Sequence, residues 1–375
     1  MIPRQLTVFE RDRFTNQPDF SIAMPAAVNL PTFTELERFG RSLEKHDALP
    51  LLITGIAGVG GYNAFAFFRA KYGSQVTGQR PVRNWPLSGE GIVGCDLENT
   101  ESIERLLKEG GFKTVLNCGG SCALKSCELD PQMAQRVNVT GVNSLLTAME
   151  STDARFVHLS IDLVFSGSHG GNLTESDPVD PVTVYGKTMV QAEEAILSRR
   201  PASCILRISL PMGISFNGHA GAIDWIQARF AAGKPATLYY DEIRTPTYVE
   251  CLIEVIEEVL CGDATGVFHA GGTRKLSLYQ IAQIVNRVGG YPPELLHGCY
   301  RIEAGPIPPR AGNVTMISDK LRGLVARQPF VAWPMIENQV PTSRTWHYDR
   351  PETSFTGSAA FLASTLYDRP SFDGN

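Results

Sequence analysis

The residues best suited to chemistry lie in two short stretches, Leu159-Ser160-Ile161-Asp162 and Val184-Tyr185-Gly186-Lys187-Thr188-Met189. A tyrosine phenol can hand its proton to a carbonyl oxygen that is being reduced, and a lysine one helical turn further on would share its face and lower its pKa. Here the residue four positions after Tyr185 is Met189, which carries no charge and donates no hydrogen bond. The phenol is therefore expected to keep a pKa of about 10. Lys187 is no simple substitute, because two helical positions correspond to roughly 200° of rotation. The nearby groups that could assist are Ser160, Asp162 and Thr188. Thr188 can share the face of Tyr185, whereas strand alternation turns Ser160 away from it unless the strand has already ended there.

A second constellation is Thr54-Gly55-Ile56-Ala57-Gly58-Val59-Gly60-Gly61, set between the apolar run Leu51-Leu52-Ile53-Thr54 and the helical pattern that begins at Tyr62. Glycines at 55, 58 and 61 allow a tight turn, close approach of backbone to a pyrophosphate, and helix packing on a sheet; with Ala57, Val59 and Gly60 they place the phosphates at the positive end of a helix. This predicts dinucleotide binding. After the second strand the chain reads Gly78-Gln79-Arg80-Pro81-Val82-Arg83. An acidic residue there would bind a ribose 2'-hydroxyl and an arginine a 2'-phosphate, so NADP is favoured and NAD is possible, the alternative being that both arginines are solvated. Asp96-Leu97 stands where an adenine amino group could be received, or Asp96 caps a helix beginning near Glu101.

These residues need a frame. Leu51–Thr54, Ser74–Thr77, Gly91–Cys95, Thr114–Asn117, Phe156–Ser160 and Cys204–Ile208 read as six strands, with helical patterns near 62–72, 101–109, 131–152 and 185–199 between them. The alternation predicts an α/β fold: a doubly wound parallel (Rossmann) sheet with a smaller C-terminal α/β substrate lobe. Helices near 221–232, 248–261 and 277–288 would build that lobe. The expected division is an N-terminal extension over 1–47, a dinucleotide-binding domain over 48–210, the lobe over 211–325 and a proline-rich tail over 326–375, whose Trp333, Trp346 and Phe361 imply docking. In the lobe, Tyr239 and Tyr240 precede Asp241 and Arg244; Arg244 could pair with a diphosphate or sit at the surface beside core aromatics. His158 and His269 lie in apolar strands and read as core histidines.

Bulk properties exclude other classes. A chain of 375 residues with 43% hydrophobic content can bury a large core, and a net charge of -5 with no basic run argues against a nucleic-acid partner. The glycines and Asn63 within 48–68 argue against a membrane span, and the charged N-terminus argues against export, so a cytoplasmic location is expected. The eight cysteines then read as reduced thiols. Cys118, Cys122 and Cys127 match no common zinc spacing, so no metal is expected.

The glycine loop, Asn117-Cys118-Gly119-Gly120, Val137-Asn138-Val139-Thr140-Gly141, Ser160-Ile161-Asp162-Leu163-Val164-Phe165 and Val184-Tyr185-Gly186-Lys187-Thr188 together resemble the extended short-chain dehydrogenase/reductases. Within them the chain is most similar to dTDP-4-dehydrorhamnose reductases, through Arg244-Thr245-Pro246-Thr247-Tyr248-Val249, Gly266–Ala270 and Pro309–Val314. The resemblance spans residues 49 to 325. It implies that Cys118, Gly119 and Gly120 also line the cofactor, and that the reaction is NAD(P)H-dependent reduction of a keto group on a nucleotide sugar or similar polar metabolite. The family's catalytic Thr falls on Ile161, its Tyr on Tyr185, its Lys on Met189, and its relay Asn on Asn138. Two functions follow. One is a reductase in which Tyr185 donates a proton with Ser160, Asp162 or Thr188 as helpers. The other is a catalytically silent, cofactor-binding regulatory or assembly subunit, as in the regulatory beta subunit of methionine adenosyltransferase, whose fold the chain resembles. Beyond a small-molecule substrate, a homodimer mate or a protein partner is possible.

Overall fold

Alternating side chains decide how the first strand is buried. In the computed structural model, which describes residues 43–217, 221–350 and 359–369, β1 (Leu51–Thr54) is buried along its whole length. Leu51 and Ile53 join one apolar core and Leu52 the other, as the period of two in a strand requires. A strand covered on both faces belongs inside a parallel sheet.

β1 pairs in parallel with β2 (Val76–Arg80) on one side and with β4 (Thr114–Asn117) on the other. β3 (Ile92–Gly94) lies outside β2, while β5 (Arg155–Ile161) and β6 (Cys204–Ile208) continue from β4. The strand order reverses between β1 and β4, so their carboxyl ends open a crevice at the switch point, where ligands bind in sheets of this kind. Beyond β6, short ladders join β7 (Pro211–Met212) to β10 (Thr247–Tyr248), β8 (Ala236–Tyr239) to β13 (Leu296–Cys299), and β9 (Ile243–Arg244) to β12 (Leu276–Ser277). The sheet has seven strands where six are expected, because β11 (Gly266–Ala270), from the segment assigned to the smaller lobe, pairs in parallel with β6.

One face of the sheet is covered by α1 (Val59–Tyr72) and α8 (Val249–Cys261), which bring Phe65, Phe68, Leu252 and Ile256 against Ile53 and Leu206. The other is covered by α2 (Thr100–Gly110), α5 (Gly141–Ala148) and α6 (Val184–Arg199), through Ile103, Leu107, Leu145 and Ile196 against Leu52 and Ile205. Truncating a fully buried ring such as Phe68 to alanine costs about 3–5 kcal/mol. The remaining helices are α3 (Leu124–Leu129), α4 (Pro131–Gln135), α7 (Ala222–Ala231), α9 (Leu278–Val288), α10 (Asp319–Val325) and α11 (Ala359–Leu362).

Three local features depart from the sequence expectation. β2 begins at Val76 because Gly73, at φ 57°, ends α1 and Gly73–Gln75 form a 3-10 turn. The helical pattern over 131–152 is three pieces, with a turn of π-helix at Arg136–Thr140 between α4 and α5. Of the tail aromatics, Trp333 and Trp346 are buried but Phe361 lies at the surface, 38% exposed. Most of the expected N-terminal extension, residues 1–42, lies outside the described residues. No helix among the described residues is long and apolar enough to cross a membrane.

Candidate active site

The glycine loop is held by backbone contacts that leave no room for side chains. Gly55 has φ +69°, and a Cβ there would stand 2.5 Å from the Cys118 carbonyl and the Gly119 Cα; a Cβ on Gly61 would meet the Gly55 carbonyl oxygen at 2.5 Å. β1, the loop and β4 are thereby pressed together at the switch point. α1 starts at Val59 with Gly58 as its N-cap, without a side-chain cap and without an acidic residue in the first turn. Its N–H groups and the positive end of its dipole are left to whatever enters the crevice. Ala57, Gly58 and Gly60 are each partly exposed there.

Around this loop, polar side chains act as braces. The buried Gln79 accepts the Gly55 N–H at 2.9 Å and donates to the Cys95 carbonyl, tying the loop to β2 and β3. The bracing role of Gln79 has only one trace in the sequence, an amide near the end of the second strand. Asn117 accepts from the Thr54 hydroxyl at 2.6 Å and the Gly119 N–H at 3.1 Å, and its amide lies 2.9 Å from Nδ1 of His158. Burial lowers the His158 pKa to about 4, so it sits there as a neutral ring. His269 is also buried, with Nδ1 at 3.1 Å from the Leu173 carbonyl. Leu97 packs against Gly119, and Gly120 faces Asn138.

At the far end of the loop, Arg80 folds back on its own turn, donating from Nε to the Leu87 carbonyl at 2.5 Å and from a terminal nitrogen to Pro81 at 3.0 Å and Val82 at 3.1 Å. Arg80 is half-buried with its guanidinium tied to its own turn, and Arg83 is the exposed arginine of the pair. Asp96 accepts the Val82 N–H at 2.9 Å. The helix-cap reading of Asp96 fails, because α2 is capped by Asn99, whose side chain accepts the Ser102 N–H.

Tyr185 lies in the first turn of α6, whose N-cap Thr183 accepts the Gly186 N–H. Met189 shares an apolar cluster with Tyr185, Cys127, Leu163, Phe165 and Met316, with Ile161 packed against it. Lys187 is exposed, as its position on the helix demands. The expectation of an ordinary phenol pKa is corrected: burial first, then Cys122, Asp162 and Cys127, raise it well above 10, and Arg244 offsets this only in part. A phenol held this way is neutral at ordinary pH.

The proposed helpers separate. Thr188 donates to the Tyr185 carbonyl at 2.8 Å and accepts from the Asn138 amide at 2.9 Å, while Asn138 accepts the Ser121 N–H at 2.7 Å. Asn138 belongs to the π turn, a distortion frequent at functional sites. Ser160 is fully buried and donates to Glu193, which Arg207 holds at 2.6 Å, so its hydroxyl is spent in a buried ion-pair network. Asp162 is clamped by Arg244, with Nε at 2.6 Å, and accepts from Ser209 at 2.5 Å. This also corrects the reading of Arg244 as a diphosphate ligand or surface residue: it is 6% exposed and paired with Asp162, with Glu242 at 3.6 Å. The structure thus brings Tyr185, Thr188 and Asn138 together and commits Ser160 and Asp162 elsewhere. Among the described residues no group of three or more His, Cys, Asp or Glu could hold a metal ion.

Residues 50–330 match the family model described as the RmlD substrate binding domain. The chain belongs to that family. Among its relatives is a probable low-salt glycan biosynthesis reductase, Agl14, of Haloferax volcanii, 30% identical over 46% of this chain and 59% of its own length. The dTDP-4-dehydrorhamnose reductase of Mycolicibacterium smegmatis is 26% identical over 64% of this chain and 72% of its own. The methionine adenosyltransferase 2 subunit beta of Xenopus laevis is 23% identical over 64% of this chain and 76% of its own. Among solved structures, a dTDP-4-dehydrorhamnose reductase of Bacillus anthracis in complex with NADP superposes with a TM-score of 0.62 at 18% identity, over 76% of this chain and 95% of that one. A UDP-glucose 4-epimerase of Thermus thermophilus with NAD gives 0.65 at 22% identity, over 75% and 94%. At these identities the structures establish the fold alone, and they agree with the parallel sheet described above.

Proposed function

We propose that the protein binds NAD(P)H and reduces a keto group on a nucleotide sugar or similar polar metabolite, with Tyr185 as the proton donor. The observation that carries this reading is the uncapped start of α1 beside the Gly55–Gly61 turn, set at the switch point of a family whose members include reductases of that chemistry. The dinucleotide supplies a hydride. The chain supplies the rest: α1 N–H groups for the pyrophosphate, Ala57, Gly58, Val59 and Gly60 as the surface beneath it, Leu97, Cys118, Gly119 and Gly120 as an opposing wall, and Asp96 at the adenine end. NADP is favoured over NAD through Arg83, which is exposed beyond β2, while Arg80 shapes the turn that presents it.

Reduction asks the phenol to start neutral, and burial keeps it so, at the cost of making it a weaker acid. Thr188 and Asn138 fix the first turn of α6 that carries Tyr185. Two replacements of the family pattern limit the rate: Ile161 offers no hydrogen bond to the substrate oxygen, and Met189 brings no cation to the phenol. Loss of one positioned donor costs about 100-fold to 1,000-fold, so turnover is slow.

The same two residues favour a second reading, a silent cofactor-binding subunit of a protein partner, in line with the similarity to the methionine adenosyltransferase 2 subunit beta. Calorimetry with NADPH followed by an assay on a dTDP-4-keto-6-deoxy sugar separates them: tight binding without oxidation of NADPH favours the silent subunit. In the double variant Ile161→Thr with Met189→Lys, a gain of about 100-fold in oxidation rate is expected if the pocket still accepts the sugar.

A further inference from the structure

The family match ends at residue 330, yet the chain beyond it is built into the core. Trp333 and Leu366 are fully buried, and the indole of Trp333 donates to the Leu366 carbonyl at 2.8 Å. Tyr248, also fully buried, accepts the Met335 N–H at 3.0 Å and donates to the Thr365 carbonyl at 3.3 Å. These bonds seat Tyr367, whose hydroxyl donates to Asp224 at 2.5 Å. Burial and the Asp224 carboxylate push the phenol above its ordinary value, which keeps it a donor.

Asp224 spends its other oxygen on two groups at once, the Ser215 hydroxyl and the Gly221 N–H at 3.3 Å. Both ends of that stretch rest on the first turn of α1. The Asn63 amide donates to the Val59 carbonyl at 2.8 Å and to the Ile214 carbonyl at 2.7 Å, and a Cβ on Gly221 would stand 3.2 Å from Cγ2 of Val59. Val59 opens the helix end that no side chain caps. The direction of its N–H groups therefore depends on what packs outside them.

We infer that Tyr367, from a segment outside the family match, is a positioning residue for the dinucleotide phosphate site: it holds Asp224, which braces Ile214–Ser215 and Gly221 against the first turn of α1. The inference rests on the reading that this turn receives the pyrophosphate. A direct bond to the cofactor is not involved; the tail acts on the shape of the site from behind.

The test is Tyr367→Phe in the full chain, which keeps the ring in the core and removes the hydroxyl. Calorimetry should show about 5-fold to 10-fold weaker NADPH binding, the effect of one lost buried hydrogen bond, and hydrogen exchange of the ligand-free protein should accelerate at residues 59–63 and 213–217. Arg369→Ala, which breaks the 3.1 Å pair with Glu254 and leaves Asp224 untouched, should change neither. A merely structural role predicts acceleration spread evenly over the protein with unchanged affinity, and that result overturns the inference. So does a Tyr367→Phe protein with wild-type exchange and wild-type affinity. Failure of the wild-type protein to bind NADPH overturns the cofactor reading instead, and the role assigned to Tyr367 falls with it.

Discussion

The two ends of the crevice treat their polar groups in opposite ways. At the start of α1 the main-chain N–H groups have no side-chain cap and face the opening, whereas around Tyr185 the side chains that could assist a proton transfer already have partners inside the protein. The first end works through backbone geometry and tolerates almost any side chain that leaves the glycines in place. The second works through particular side chains, and here Met189 and Ile161 make it apolar. On the proposed reading, binding and turnover are separable, because they rest on different parts of the peptide.

The sharpest way to break the contrast is at Gly55. Gly55→Val forces a Cβ into the Cys118 carbonyl at a φ that valine avoids, at a cost of about 4 kcal/mol; calorimetry should find no NADPH binding, and retained binding would show that the loop is not the phosphate site. Arg244→Ala attacks the other end by leaving Asp162 buried and unpaired. A loss of about 3–5 kcal/mol is expected in urea unfolding, with NADPH affinity little changed wherever the protein remains folded.

Acid should weaken the fold through His158. Its folded pKa of about 4 lies below the ordinary 6.5, so below that ordinary value the unfolded chain takes up a proton that the folded chain refuses. Stability from this group is therefore complete above pH 6.5 and falls by about 1.4 kcal/mol per pH unit down to the folded value, about 3 kcal/mol in all. Urea midpoints for wild type and His158→Gln should converge as the pH is lowered through that window; parallel curves would remove His158 as the cause. The smallest effect belongs to Arg83→Ala, expected to weaken NADPH by about 10-fold, or about 1.4 kcal/mol, and to leave NADH unchanged.

How much of this could be read in the chain follows the same division. β1, β4, β5 and β6 are apolar runs buried on both faces, and their ends match the sequence expectation within a residue or two. β11 joins the same sheet from far along the chain, and strand pairing across that distance leaves no local trace. Alternation along β5 sends Ser160 toward Glu193, as the period of two in a strand implies. The fate of Arg244 was hidden, because nothing between residues 162 and 244 signals that the two would meet. The motif around Tyr185 is legible in the chain, but the pKa of the phenol depends on burial, which the local sequence does not encode.

The π turn that carries Asn138 has a consequence for the length of the chain itself. Such a turn amounts to one residue added to an α-helix, and each residue advances the helix by about 100°. Rewinding Arg136–Thr140 as regular α-helix with every residue kept would rotate α4 or α5 by that angle, carrying Leu145 and Leu146 off the sheet or Ala134 out of its cluster, whereas deleting one residue there would remove the bulge and leave both helices in phase. The extra residue therefore shapes the backbone around Asn138, while the packing of α4 and α5 on either side does not depend on it.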